Sequence, residues 1–251
     1  MKLQFKQIVT IILSIFLLSC GSDDTASQTV APTLPPVIKD PTTPIAPSVN
    51  YLALGDSYTI GQSVCETCRF PEQLKSGLKG LYPQTNFSLK VIATTGWTTS
   101  NLISAINTQS PESNYDLVTL LIGVNNQFQG KNFALYEKEF PELVTKAIAL
   151  AKGDKKNVIV LSIPDYAYTK FGMMYGTEGR MKISAEIDQY NTLAENYCLK
   201  NGIAFVSITG ITRQGLMNTS LVATDGLHPS QQAYSMFVEK MMPQVKIALQ
   251  D

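Results

Sequence analysis

The chain is 251 residues long, 44% hydrophobic, 16% charged and 9% aromatic, and its 20 Lys and Arg are matched by 20 Asp and Glu. This is the composition of a globular protein, and nothing in it is basic enough to point to nucleic acid. Loss of Lys2 and Lys6 with a cleaved leader would leave 18 basic against 20 acidic residues.

At the N-terminus, Lys2 and Lys6 flank the start of Ile8–Leu18, which is apolar apart from Thr10 and Ser14. The segment reads as a signal-peptide core, too short for a spanning helix. It ends in Leu17-Leu18-Ser19-Cys20-Gly21, which resembles a bacterial lipobox. That resemblance implies a lipoprotein signal peptide over 1–19, with Cys20 the lipidated first residue of the mature protein. An ordinary signal peptide that happens to end near a cysteine is the alternative. Gly21-Ser22-Asp23-Asp24 resembles the acidic export tag of some surface lipoproteins. Residues 20–49 hold six prolines (Pro32, Pro35, Pro36, Pro41, Pro44, Pro47) among Thr, Ser and Ala. Such a stretch buries too little apolar surface to offset its ordering entropy and reads as an extended tether. The expected location is the cell envelope, periplasmic or surface-exposed, with the lipid as the only membrane contact.

Residues 50–251, about 200 in number, suit one core. Five short runs rich in β-branched residues read as strands: 50–55, 87–93, 117–122, 157–163 and 203–208. Helices are expected between them. In 71–82, Pro71 suits a first turn and Leu74, Leu78 and Leu81 share a face. Segment 97–107 carries Leu102, Ile103 and Ile106, and 132–152 carries Leu143, Val144, Ala147 and Ile148, with a kink expected at Pro141. Segment 180–200 carries Ile183, Ile187, Tyr190, Ala194 and Tyr197. A last helix from Pro229 carries Ala233, Met236, Phe237 and Met241. Alternation of this kind predicts an α/β fold, a three-layer α/β/α sandwich with a five-stranded parallel sheet, flavodoxin-like in outline.

Polar residues punctuate the strand ends. The first strand closes in Gly55-Asp56-Ser57, the second leads into Thr94-Thr95-Gly96-Trp97, and the third into Gly123-Val124-Asn125-Asn126. The one histidine of the chain stands in Asp225-Gly226-Leu227-His228. Ligands of parallel sheets bind beyond the C-terminal strand ends, so Ser57, Gly96 and Asn125 would line one edge. A serine hydroxyl is a poor nucleophile until a base takes its proton. Imidazole suits that task because it titrates near neutral pH. An aspartate can orient the ring and stabilise the imidazolium.

In the order Ser, Gly, Asn, His the sequence resembles the SGNH hydrolases, the GDSL esterase/lipase family, over about residues 50–243. The resemblance implies Ser57 as nucleophile, His228 as general base and Asp225 as its orienter. It also implies an oxyanion hole from the Ser57 and Gly96 N–H groups and the Asn125 side-chain amide. Asn126 stands where the family usually has aspartate, which puts in question the local hydrogen bonding that aspartate supplies. No serine lies in a Gly-x-Ser-x-Gly elbow, which disfavours the α/β-hydrolase reading.

With His228 committed to the triad, four metal ligands cannot be assembled from Cys65, Cys68 and Cys198, so zinc is not expected, and no cofactor is expected either. In an exported protein Cys65-Glu66-Thr67-Cys68 is most simply a local disulfide, with a redox-active pair and free thiols as alternatives. Cys198 is expected as a buried helix residue. A flavin or nucleotide binder would use a similar fold, but Asp56 after the first strand repels phosphate. A non-catalytic surface-binding lipoprotein is the other competitor, and Ser57, Asp225 and His228 argue against it. The site edge is expected to carry Tyr58, Trp97, Asn126, Gln127, Phe128 and Gln129, with Tyr166, Tyr168, Phe171 and Tyr175 from the loop after the fourth strand. Aromatics among amides suit a hydroxylated ring. The expected substrate is therefore a small-molecule or glycan ester, with a short acyl group such as acetyl. Lysophospholipid or thioester cleavage is the alternative.

Overall fold

The structure, a computed structural model, describes residues 43–250. In chain order it contains β1 (Ser48–Gly55), α1 (Ser57–Ile60), α2 (Phe70–Leu81), β2 (Asn86–Ala93), α3 (Thr99–Gln109), β3 (Leu117–Leu121), α4 (Val124–Phe128), α5 (Phe133–Leu150), β4 (Val158–Leu161), α6 (Gly176–Asn201), β5 (Ala204–Val206), α7 (Thr209–Thr212) and α8 (Gln231–Gln250). The leader, Cys20 and most of the tether lie outside the described residues.

All strand pairs are parallel, in the order β2-β1-β3-β4-β5. Helices α2 and α8 pack together over one face of the sheet, and α3, α5 and α6 cover the other. This is the expected three-layer, flavodoxin-like sandwich. The central strands β3 and β4 are buried along their whole length, as strands covered on both faces must be. Edge strand β2 instead alternates between exposed and half-buried until its last two residues. The chain passes from β1 outward to β2 and then back across to β3. The strand order therefore reverses between β1 and β3, where parallel sheets open a crevice.

Several boundaries differ from the sequence reading. The fold begins two residues before the boundary set at residue 50: Val49 is buried, Asn86 N donates to Pro47 O at 2.9 Å, and Thr85 Oγ1 donates to Ala46 O at 3.0 Å. The fourth strand is shorter than 157–163. Residues 155–157 form a 3-10 turn capped by Asp154, and Ser162 turns its hydroxyl to Ile208 N and Thr209 N. Those same bonds end the fifth strand at Val206, because α7 starts at Thr209. Helix α3 starts at Thr99, not 97, since Thr98 and Asn101 form a reciprocal capping box. Helix α6 starts at Gly176, four residues early, with its glycines 176 and 179 masking the helical pattern. Helix α5 is unbroken at Pro141, and Thr145 Oγ1 donates to the Pro141 carbonyl at 2.9 Å.

Candidate active site

Ser57 follows β1 as the first residue of α1, and this turn needs glycine before it. A Cβ on Gly55 would lie 2.1 Å from Thr59 Oγ1 and 2.5 Å from Leu121 O. Asp56 caps α1, its Oδ1 accepting from Tyr58 N at 3.0 Å. As the first helical residue, Ser57 has an N–H with no intrahelical acceptor. Its hydroxyl has no hydrogen-bond partner among the described residues and opens on a cleft. The same logic places Asn125 after β3. Gly123 sits at φ +130°, where a side chain is strained and a Cβ would meet Tyr136 at 2.7 Å.

The third component comes from the far end of the chain. A loop between Ala223 N and His228 O is closed at 2.7 Å, and within it Asp225 Oδ1 accepts from Leu227 N at 2.9 Å and His228 N at 3.0 Å. Asp225 Oδ2 lies 2.6 Å from His228 Nδ1 and also accepts from Ser63 Oγ at 2.6 Å. The Tyr58 ring meets the imidazole edge-on at 5.6 Å. Partial burial raises the Asp225 carboxyl. Hydrogen bonds from Ser63, His228 and the two backbone N–H groups outweigh that and hold it at about 2. Asp225 is therefore ionised at neutral pH beside the histidine.

Ser57, Gly96, Asn125 and His228 line one cleft of ≈ 190 Å³, with Phe128, Tyr166, Val124 and Leu227 among its walls. Asp225 stands behind His228. Of the other residues expected at the edge, three are used by the protein itself. Asn126 is fully buried: its Oδ1 accepts from Thr99 N at 2.9 Å and its Nδ2 donates to Thr99 Oγ1 at 2.6 Å. It thus supplies hydrogen bonds of its own to the start of α3. Gln127 bridges Tyr166 and Glu186, at 3.0 and 2.7 Å, and Gln129 donates to Gly96 O at 2.9 Å. Asn126 and both ends of the Gln127 amide are thus engaged within the protein, a correction to the sequence reading, whereas exposed Gln129 commits only its Nε2. Tyr168 lies under the Arg180 guanidinium, and Trp97 packs against the core. Phe171 and Tyr175 back up Phe128 and Tyr166 in one aromatic cluster. Cys65 and Cys68 form a disulfide, and Cys198 is a buried free thiol. Among the described residues, no group of three acidic, histidine or cysteine side chains could hold a metal ion.

Asp56 and Ser63 are the polar residues to which sequence reasoning assigns no part in the site. Asp56 is wholly buried, and Asn125 Nδ2, which donates to Trp97 O at 3.0 Å, reaches Asp56 Oδ2 only at 3.4 Å, a long contact. Burial dominates and pushes the Asp56 carboxyl from 3.8 up to about 7, against the bonds from Tyr58 and Asn125. The folded state then binds more protons than the unfolded chain between these values, so stability falls as pH rises from about 4 to 7. With about 1.4 kcal/mol per unit, the fall amounts to a few kcal/mol. Asp225 acts in a lower window: its contribution is present above 3.8 and is lost as pH drops toward about 2. Urea denaturation at pH 5 and pH 7.5 should show a lower midpoint at pH 7.5, and Asp56→Asn should flatten the difference. An unchanged pH dependence in the variant would remove Asp56 as its source.

Comparison with known proteins gives a consistent result. A family model described as the GDSL-like lipase/acylhydrolase family matches residues 53–236. No curated protein sequence matches significantly. Similar solved structures include a lipolytic protein of the G-D-S-L family from Veillonella parvula, with TM-score 0.59 and 17% identity over 77% of this chain and 96% of that one. A variant of Axe2, an acetyl xylan esterase from Geobacillus stearothermophilus, gives 0.59 and 18% over 78% and 94%. TesA gives 0.60 and 17% over 80% and 99%. At these identities the structural likeness establishes the fold.

Proposed function

Since the chain belongs to the GDSL-like lipase/acylhydrolase family and is a hydrolase of ester bonds, we propose that it removes short acyl groups, acetyl foremost, from carbohydrate esters. Ser57 attacks the ester carbonyl while His228 takes its proton, and Asp225 holds the ring through Nδ1. The tetrahedral oxyanion is received by the N–H groups of Ser57 and Gly96 and by the Asn125 amide. Asn125 then exchanges its long contact with Asp56 for the stronger one to the oxyanion. The proton on His228 passes to the departing alkoxide. Water, activated by the same base, releases the acid and restores Ser57.

The observation that carries the acyl size is the cleft. Its ≈ 190 Å³ is small beside the roughly 300–1,000 Å³ of pockets for larger ligands. Support for a sugar comes from the Phe128 and Tyr166 rings on the cleft wall and from the likeness to the acetyl xylan esterase. A second reading has its own observation. Phe128, Met173, Met174 and Tyr175 are exposed apolar side chains on and beside the aromatic cluster, and such a patch suits a longer acyl chain. A series of p-nitrophenyl esters from acetate to palmitate, run beside acetylated xylan, separates the two. The proposal requires kcat/KM highest at two to four carbons and acetate release from xylan. A steady rise beyond eight carbons with no acetate released would establish the lysophospholipase or thioesterase reading instead.

Export and anchoring belong to the same proposal, supported by Lys2, Lys6, Ile8–Leu18 and the lipobox-like Leu17–Cys20. Cys20→Ser should move the protein from the membrane fraction to the soluble fraction. Unchanged fractionation would reject Cys20 as the anchor.

A further inference from the structure

The turn that follows the proposed nucleophile touches the other two parts of the site through adjacent residues. Gly61 N and Gln62 N donate to Ser57 O at 3.1 and 3.0 Å, closing the turn on the nucleophile itself. Gln62 Oε1 accepts from Thr95 Oγ1 at 2.7 Å, next to Gly96. Ser63 Oγ donates at 2.6 Å to Asp225 Oδ2, the same oxygen that faces His228 Nδ1. The latter contact spans 162 residues of sequence.

Two further observations single out Ser63. It has φ +67°, a left-handed conformation costly for a residue with a Cβ, and one found where function or surrounding structure enforces it. The segment beyond it is also held firmly. The Cys65–Cys68 disulfide closes it, and Gln73 Nε2 donates both to Cys68 O at 2.5 Å and to Gln231 O at 3.0 Å, at the start of α8 just past His228. The hydroxyl is thus presented to Asp225 from a short turn between fixed ends, at the cost of backbone strain.

We propose that Ser63 is a positioning residue for the reaction, fixing the Asp225 carboxylate so that its Oδ2 stays aimed at His228 Nδ1. Apart from its contact with the mobile imidazole itself, Asp225 is held by two backbone N–H groups on Oδ1, about which the carboxylate can swing. The Ser63 hydroxyl supplies a second point of attachment on the other oxygen. This rests on the Ser57–His228–Asp225 reading, so the substrate p-nitrophenyl acetate is first shown to be turned over by the wild type and not by Ser57→Ala. No turnover by the wild type rejects the short acyl substrate, and the comparison then moves to the p-nitrophenyl ester the wild type does hydrolyse. Turnover that survives in Ser57→Ala refutes the triad, and its loss isolates the Ser63 question.

The test compares Ser63→Gly with Ser63→Asn. Glycine removes the donor and relieves the backbone, whereas asparagine tolerates positive φ and keeps an N–H donor for Asp225. Ser63→Gly should lower kcat about tenfold, the scale of one hydrogen bond to a charged group. KM should stay within about twofold and the urea midpoint should be equal or higher, because strain has been removed. Ser63→Asn should recover most of the lost kcat. Wild-type kcat in Ser63→Gly would overturn the proposal. So would an equal fall in both variants, or a loss of kcat that tracks a loss of stability.

Discussion

Replacing Ser57 by alanine should lower kcat for p-nitrophenyl acetate by on the order of 10⁶-fold, down to a residue owed to binding and the oxyanion donors. The fold should not notice. Ser57 Oγ has no hydrogen-bond partner among the described residues, so alanine strands no buried donor or acceptor. The Ser57 backbone keeps its bonds from Gly61 and Gln62. The expected signature is thus a lost activity and lost fluorophosphonate labelling at an unfolding midpoint within about 0.5 kcal/mol of wild type. Labelling that persists in the variant would place the nucleophile elsewhere.

Asp225→Asn should cost on the order of 10³–10⁴-fold in kcat, for a reason visible in the hydrogen bonds. Oδ1 accepts from two backbone N–H groups, Leu227 and His228, so the oxygen of the new amide is held there. Its NH2 group must then occupy the place of Oδ2, facing His228 Nδ1. A donor at that place makes Nδ1 the acceptor and puts the ring proton on Nε2. On the triad reading, the nitrogen that must accept the Ser57 proton then already carries one. KM should change little, because no substrate contact is lost. A variant within tenfold of wild type would show that Asp225 neither orients nor stabilises the histidine.

Both predictions concern residues that stand out in the amino-acid sequence, and the reason is local. Ser57, Gly96 and Asn125 each follow a short apolar run, and in a parallel sheet consecutive strand ends fall on one edge whatever the details of packing. The Asp225–His228 spacing lies within one tight loop, and Pro229 with the apolar face of α8 announces the element that anchors it. Strands 50–55 and 117–122 are legible because residues buried on both faces are apolar in a nearly unbroken run. Strand 87–93 is legible because its half-buried apolar residues alternate with exposed polar ones at the sheet edge. The fourth and fifth strands look longer in the sequence than they are, because Ser162 ends them with side-chain bonds to Ile208 and Thr209. Apolar content does not reveal such bonds.

What the amino-acid order determined by itself is therefore the layered fold, the strand-end positions of Ser57, Gly96 and Asn125, and the pairing of Asp225 with His228. Each follows from periodicity or from neighbours within a few residues, which covalent connection brings together in any fold of this class. The tertiary structure decided the rest. Asn126, Gln127 and Gln129 look like substrate-binding amides in the sequence, yet each bonds a partner in another element: Thr99, Tyr166 with Glu186, and Gly96. Asp56 belongs to a recognisable block, but its raised titration comes from complete burial, which outweighs the hydrogen bonds from Tyr58 and Asn125. Ser63 meets Asp225 only because the turn after α1 and the loop before α8 are folded against one another at the same sheet edge. Hydrogen-bond partners and desolvation depend on how segments far apart in the chain are packed, and no local pattern carries that information.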